Sequence, residues 1–247
     1  MKEPLSVTRL YLIRHGEAFC NVEPIIGGMN GDEGLTERGA DQALRLRDRL
    51  QATREIDADV LIASTFPRAR QTAEIIAPAI GLPIVFDDEV QEMRPGDADG
   101  ISITQFRERY GLPDWDRDPA HPLAPNGESY ITFMARVTKA MDRIVAEHEG
   151  KTVVIVCHGG VIDGSLGYFI GLPVVPRPPV QFDTHNTSIT QWDRRQHGLD
   201  DPRWRLIRYN DDAHLRETPA GPSLDWGEID EAATGASSTH RSSNAAI

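Results

Sequence analysis

Arg9-Leu10-Tyr11-Leu12-Ile13-Arg14-His15-Gly16-Glu17 is an apolar run that ends in a histidine and a glycine. A second stretch far along the chain has the same form: Thr152-Val153-Val154-Ile155-Val156-Cys157-His158-Gly159-Gly160. A parallel strand covered on both faces reads as a continuous apolar run rather than an alternating one. Ligands of open α/β sheets bind outside the carboxyl ends of such strands. Two endings that carry His, Gly and Arg therefore predict one site assembled from both halves of the chain.

The remaining elements are read outward from these two strands. Glu17 to Gly34 is irregular, with glycines at 27, 28, 31 and 34 that allow tight bends and close backbone approach to a ligand. Thr36 is the expected N-cap of a helix whose apolar stripe is Ala40, Ala43, Leu46 and Leu50. Asp59 to Ala63 reads as a second parallel strand. It leads through Ser64-Thr65-Phe66 into a helix with Pro67 in its first turn. Pro78 is expected to end or kink that helix and Gly81 to stop it; Ile84-Val85-Phe86 is a short third strand. Prolines at 95, 113, 119, 122 and 125 break residues 93–127 into an irregular cap insertion, with one short helix near Ile103 to Tyr110. A long helix from about Ser129 to Glu149 presents Phe133, Val137, Ala140, Met141 and Ile144 on one face, and another runs from Val161 to Ile170. Ser188 to Trp192 and Trp204 to Tyr209 are two late strands, expected at a sheet edge. Alternating strands and helices imply a three-layer α/β/α sandwich with a mainly parallel central sheet. This domain is expected over residues 1–210. Ser, Thr, Ala, Gly and Glu dominate from Asp211 onward, which reads as a flexible C-terminal tail over 211–247.

A chain of 247 residues suffices for one large α/β domain. Its formal net charge of -12 argues against broad binding to nucleic acid or to anionic membranes, which needs basic surface. A few arginines in one pocket still suffice for a small anion. No stretch is long and apolar enough to span a membrane. Two cysteines, Cys20 and Cys157, make no disulfide framework, and with no signal-like N-terminus a cytoplasmic setting is expected. The histidines at 121, 148, 197, 214 and 240 show no metal-ligand spacing, so no metal is expected. The sequence leaves oligomeric state open, a homo-oligomer included.

Four motifs carry a family resemblance. Arg14-His15-Gly16-Glu17 with Asn21, then Ser64 to Ala73, then Glu92 in Val90-Gln91-Glu92, then Cys157-His158-Gly159-Gly160 resemble the histidine phosphatase superfamily, also called phosphoglycerate mutase-like, in the family's order. The likeness spans about residues 8 to 192. It implies that His15 is the nucleophile, forming a phosphohistidine, and that Arg14 and Arg68 grip the phosphoryl oxygens. Guanidinium groups suit that task because they are planar, bidentate and always charged. It implies that His158 donates to the transferring group, with the backbone N–H of Gly159 beside it. It implies that Glu92 protonates the leaving oxygen and later activates water. Asn21 resembles a polar family residue that contacts phosphate, Gly27 and Gly28 lie where the family loop passes near the substrate, and Asn186 is a candidate for the site rim.

After Glu92 the chain departs from the family pattern, with Met93-Arg94-Pro95-Gly96-Asp97-Ala98-Asp99-Gly100. Asp97 and Asp99 therefore stand as alternative acids. The same departure separates the chain from a mutase-type Asn-Glu-Arg-His-Tyr-Gly stretch and favours hydrolysis of a small phosphate monoester without a cofactor. Phosphoglycerate mutase-type transfer, a non-catalytic phospholigand-binding module and a protein phosphatase are the alternatives. Strand alternation points Cys157 away from the side of His158 and into the core.

Overall fold

The computed structural model describes residues 7–195 and 201–216. The described residues form a six-stranded sheet in the order β3-β2-β4-β1-β5-β6, where β1 is Thr8–Arg14, β2 Val60–Ala63, β3 Ile84–Phe86, β4 Thr152–Cys157, β5 Ile189–Arg195 and β6 Arg203–Asp211. The first four strands in that order pair in parallel; β5 and β6 pair antiparallel. The α/β sandwich with a mostly parallel sheet is thus the observed architecture.

The continuous apolar runs are explained by burial on both faces. Leu10 and Leu12 of β1, with Val153, Ile155 and Cys157 of β4, pack under helices α5 (Tyr130–Glu147) and α6 (Gly159–Ile170). Tyr11 and Ile13, with Val154 and Val156, pack under α2 (Glu37–Thr53) and α3 (Pro67–Ile80) on the other face. One strand therefore feeds two cores by its period of two. Cys157 belongs to the α5/α6 core, where burial pushes its thiol pKa up.

Local signals act where the sequence puts them. The Thr36 hydroxyl accepts from the N–H of Gly39 and caps α2, and Ser129 caps α5 in the same way through Thr132. Gly81 ends α3 in the left-handed conformation at φ 77°. Pro78 does not end that helix, which continues to Ile80. The lost N–H falls in the final turn, so a single hydrogen bond is forfeited. A glycine pair closes β1 onto α2: a Cβ on Gly39 would lie 1.9 Å from the carbonyl oxygen of Glu17, and one on Gly16 would lie 2.4 Å from that of Gly39.

Two boundaries shift. β5 is an interior strand between β1 and β6, so of the two late strands only β6 lies at the edge. The chain also stays in the fold past the position where a tail was expected. Asp211 ends β6 and pairs with Arg49, and a 3-10 turn at Ala213–Leu215 buries Leu215. Asp211, the first residue read as tail, is an ion-pair partner: Arg49 and Arg208 share it and Glu55. The rest of the expected tail, 217–247, lies outside the described residues.

Residues 93–127, where a cap insertion is expected, carry α4 (Ile103–Tyr110) and a small core: Ala98, Ile103, Phe106, Leu123 and Ala124 close around Ile26 from the loop after β1. Among the described residues no helix is long and apolar enough to cross a membrane.

Candidate active site

Three strand ends lie side by side. β4 is flanked by β1 and β2, and Arg14 is in register with Cys157. The N–H of His15 donates to the Cys157 carbonyl at 3.0 Å, and that of Ser64 to the Val156 carbonyl at 2.9 Å. The sheet therefore delivers Ser64, His158 and His15 to one place. The rings of His15 and His158 stand 5.1 Å apart.

His15 is 3 % exposed and held at both ring nitrogens. Nδ1 lies 2.7 Å from the Gly16 carbonyl oxygen, which can only accept, so Nδ1 carries the proton. Nε2 is then the lone-pair nitrogen, and Arg68 Nε donates to it at 3.1 Å. Burial, then the charges of Arg68 and Arg14, hold the His15 pKa well below the ordinary histidine value. The ring is neutral at physiological pH.

Arg68 sits in the first turn of α3 and is itself clamped. Its Nη1 donates to Asp32 at 2.8 Å and to the Gly27 carbonyl at 3.1 Å. Asp32 also accepts from the backbone N–H of Arg68 and of Gly34. Its side chain is fully buried. Arg14 donates through Nη1 to the Thr184 carbonyl, while its Nε is buried with no partner. Burial lowers the Arg14 pKa, with Glu92 opposing.

His158 is fully buried at the N-cap position of α6. Its Nε2 lies 2.8 Å from the Ser64 hydroxyl, and its Nδ1 is buried without a partner. Burial and the charges of Arg68, His15 and Arg14 hold its pKa well below 6.5. A Cβ on Gly159 would lie 3.7 Å from Arg14 Nε, so the start of α6 adjoins that guanidinium. Glu92 reaches the same helix start, its Oε2 accepting from Gly160 N–H at 3.0 Å and its Oε1 from Met93 N–H. Glycine at 160 is what admits it, since a Cβ there would meet Glu92 Oε1 at 2.3 Å.

The alternative carboxylates face elsewhere. Asp99 accepts from the N–H groups of Gly28, Asn30 and Gly31, and so clips the glycine loop to the cap. Exposed Asp97 accepts from Asn126. The Gly28 N–H is thus committed to Asp99, and Asn21 Oδ1 caps its own short helix, α1 (Phe19–Val22), through Ala18 N–H. Asn186 Nδ2 donates to the His15 carbonyl at 3.0 Å, so it bears on the site through the backbone. Arg70 is exposed and paired with Glu74.

Three residues at the site escaped the sequence reading as functional candidates. Asp32 is an acidic residue among loop glycines, Ser64 is the first residue after β2, and Arg136 lies on the apolar face of α5. Arg136 donates to the carbonyls of Glu89, Gln91 and Glu92 and pairs with Glu128, which pins the segment bearing Glu92. An arginine on an otherwise apolar helical stripe was the available signal. Among the described residues no group of three or more His, Cys, Asp or Glu could hold a metal ion.

An α/β sandwich whose strand ends gather two histidines and two arginines around one buried centre defines the class of protein that handles phosphate esters. The chain belongs to the histidine phosphatase superfamily (branch 1), whose family profile matches residues 10–212. A curated relative named "Probable phosphoglycerate mutase GpmB", from Erwinia tasmaniensis, is 30% identical over 215 residues, covering 85% of this chain and 96% of the relative. Among solved structures, a mycobacterial glucosyl-3-phosphoglycerate phosphatase is 28% identical with a TM-score of 0.66, over 83% of this chain and 99% of that one. Bacillus stearothermophilus YhfR is 32% identical with a TM-score of 0.68, over 85% and 100%. The relatives thus include phosphatases and mutases, enzymes that act on phosphate esters.

Proposed function

We propose that the chain is a cofactor-independent phosphatase that hydrolyses small-molecule phosphate monoesters through a phosphohistidine on His15. The observation that carries this reading is the His15 ring itself: Nδ1 is tied to the Gly16 carbonyl, and the lone pair on Nε2 faces the guanidinium of Arg68. In the first step Nε2 attacks phosphorus, the N–P bond forms and the P–O ester bond breaks. Arg68 turns its donors from Nε2 to the phosphoryl oxygens. Arg14 and His158 supply further donors, so charge is met by groups already in place. Glu92 gives its proton to the leaving oxygen. In the second step Glu92 takes a proton from water, the new O–P bond forms and the N–P bond breaks, which regenerates neutral His15 and releases phosphate.

Glu92 is preferred to Asp97 and Asp99 as the acid because it shares the α6 N-terminus with Gly159 and Arg14. Phosphoglycerate mutase-type transfer is the second reading, favoured by the name of curated relatives, "Probable phosphoglycerate mutase GpmB". Met93-Arg94-Pro95 after Glu92 weighs for hydrolysis.

The test is release of inorganic phosphate from a panel of monoesters, wild type beside His15→Ala, with EDTA present. His15-dependent release is expected. Phosphoryl exchange between substrate positions with little release would replace hydrolysis by mutase chemistry, and neither reaction would leave a binding module.

A further inference from the structure

Ser64 carries a role that follows from its partners. It is fully buried at the end of β2. Its hydroxyl oxygen accepts from the Phe66 N–H at 3.3 Å and lies 2.8 Å from His158 Nε2. Among the described residues the ring nitrogen is the only acceptor within hydrogen-bond reach of the Ser64 O–H. If His158 carried its proton on Nε2, the Ser64 O–H would be buried with nothing to receive it, a costly state. If the ring carries its proton on Nδ1, Ser64 donates to the Nε2 lone pair and its oxygen keeps the Phe66 N–H. Every group then has a partner except the Nδ1–H itself.

That remaining Nδ1–H is not alone. It is one of two donors at this site that are buried without a partner, the other being Arg14 Nε. Arg14 Nε lies beside the start of α6, and the His158 ring packs against that of His15. Buried donors are ordinarily paired, so two unpartnered donors at one site are suited to an acceptor that the substrate brings.

We propose that Ser64 is a positioning residue that fixes His158 as the Nδ1–H tautomer, so that a neutral histidine donates from Nδ1 to a phosphoryl oxygen. A neutral ring can donate from one nitrogen only. Without Ser64 the proton is free to sit on Nε2, which leaves a lone pair aimed at the anion. The inference rests on the phosphoryl reading of the site for its acceptor, whereas the tautomer itself can be read without any turnover.

The experiment is a two-bond proton–nitrogen correlation spectrum of the 15N-labelled full chain, with the His158 signals assigned by difference against His158→Gln. Kinetics of Ser64→Ala and Ser64→Thr accompany it. In wild type His158 is expected as the Nδ1–H form with a bare Nε2. Ser64→Ala is expected to populate the Nε2–H form and to lower kcat about tenfold with little change in KM, since a donor used in the transition state is weakened. Ser64→Thr keeps the hydroxyl and is expected to restore both. An Nε2–H ring in wild type overturns the proposal even if Ser64→Ala fails to fold. An unchanged spectrum and kcat in a folded Ser64→Ala overturns it as well. An Nδ1–H ring in an enzyme without His15-dependent turnover supports the tautomer assignment while breaking the hydrolytic reading, so the two failures are distinguishable.

Discussion

The floor of the site and its cap are built by different means. The floor consists of the ends of β1, β2 and β4, seated on two cores that sandwich the sheet. Its side chains are held several times over: His15 at both ring nitrogens, and Arg68 by Asp32, Gly27 and His15. The cap, residues 93–127, rests on a small separate core around Phe106 and on clips such as Asp99 to the glycine loop. The floor can fix a reaction geometry because it cannot move without unpacking the sheet. Residues 93–127 rest on a core separate from the two that hold the floor; if they act as the expected cap, changes to their surface should alter substrate choice while the floor stays intact.

The sharpest way to break this division is at the floor. His15→Ala is expected to lower phosphate release by about a thousandfold or more, because the proposed attack uses the lone pair of His15 Nε2. Far-UV circular dichroism should be unchanged; retained activity in a folded variant would end the phosphohistidine reading. Asp32→Ala leaves the Arg68 guanidinium buried without its anion. Equilibrium urea unfolding is expected to show a loss of about 3–5 kcal/mol. A change under 1 kcal/mol would mean that Arg68 does not depend on this clamp.

Glu92→Gln probes the seam between floor and cap. With a poor leaving group a loss of about a hundredfold is expected, and much less with an activated aryl phosphate that leaves without a proton. Equal losses on both substrates would remove Glu92 from the acid's role. Phe106→Ala truncates the cap's own core. It is expected to raise KM for natural-type monoesters roughly tenfold while an aryl phosphate keeps its kcat. A collapse of kcat on both would show that floor and cap are one unit.

The smallest effect is an absence. Protonation removes the His15 lone pair, and its pKa lies well below 6.5, so lowering the pH from neutral through 6.5 should leave this group in its active form. The acid limb of kcat/KM is therefore expected well below 6.5, after correction for the monoester's own ionisation near about 6. A limb at or above 6.5 that persists after the correction would mean that the ring is not desolvated in the free enzyme.

Much of this was legible in the chain. Burial on both faces makes β1 and β4 continuous apolar runs, so the sequence alone places their histidines at strand ends. Thr36, Pro67 and Gly81 act through local backbone geometry and are readable for the same reason. Carboxylates were not. Glu92, Asp97 and Asp99 lie within eight residues and have the same chemistry, and what separates them is what each meets: the start of α6, an exposed amide, or the amides of a glycine loop.

By itself, the sequence determined the layered fold, the two histidine-bearing strand ends and the arginines beside them. Each of these follows from hydrophobic pattern or local backbone chemistry within a few residues. Only the tertiary structure decided that Asp32 clamps Arg68, that Ser64 faces His158, and that Asp211 closes an ion-pair cluster with Arg49 rather than beginning a tail. These partners come from segments 36, 94 and 162 residues apart. A polar side chain declares no partner in sequence; folding selects it by burying both members of the pair together.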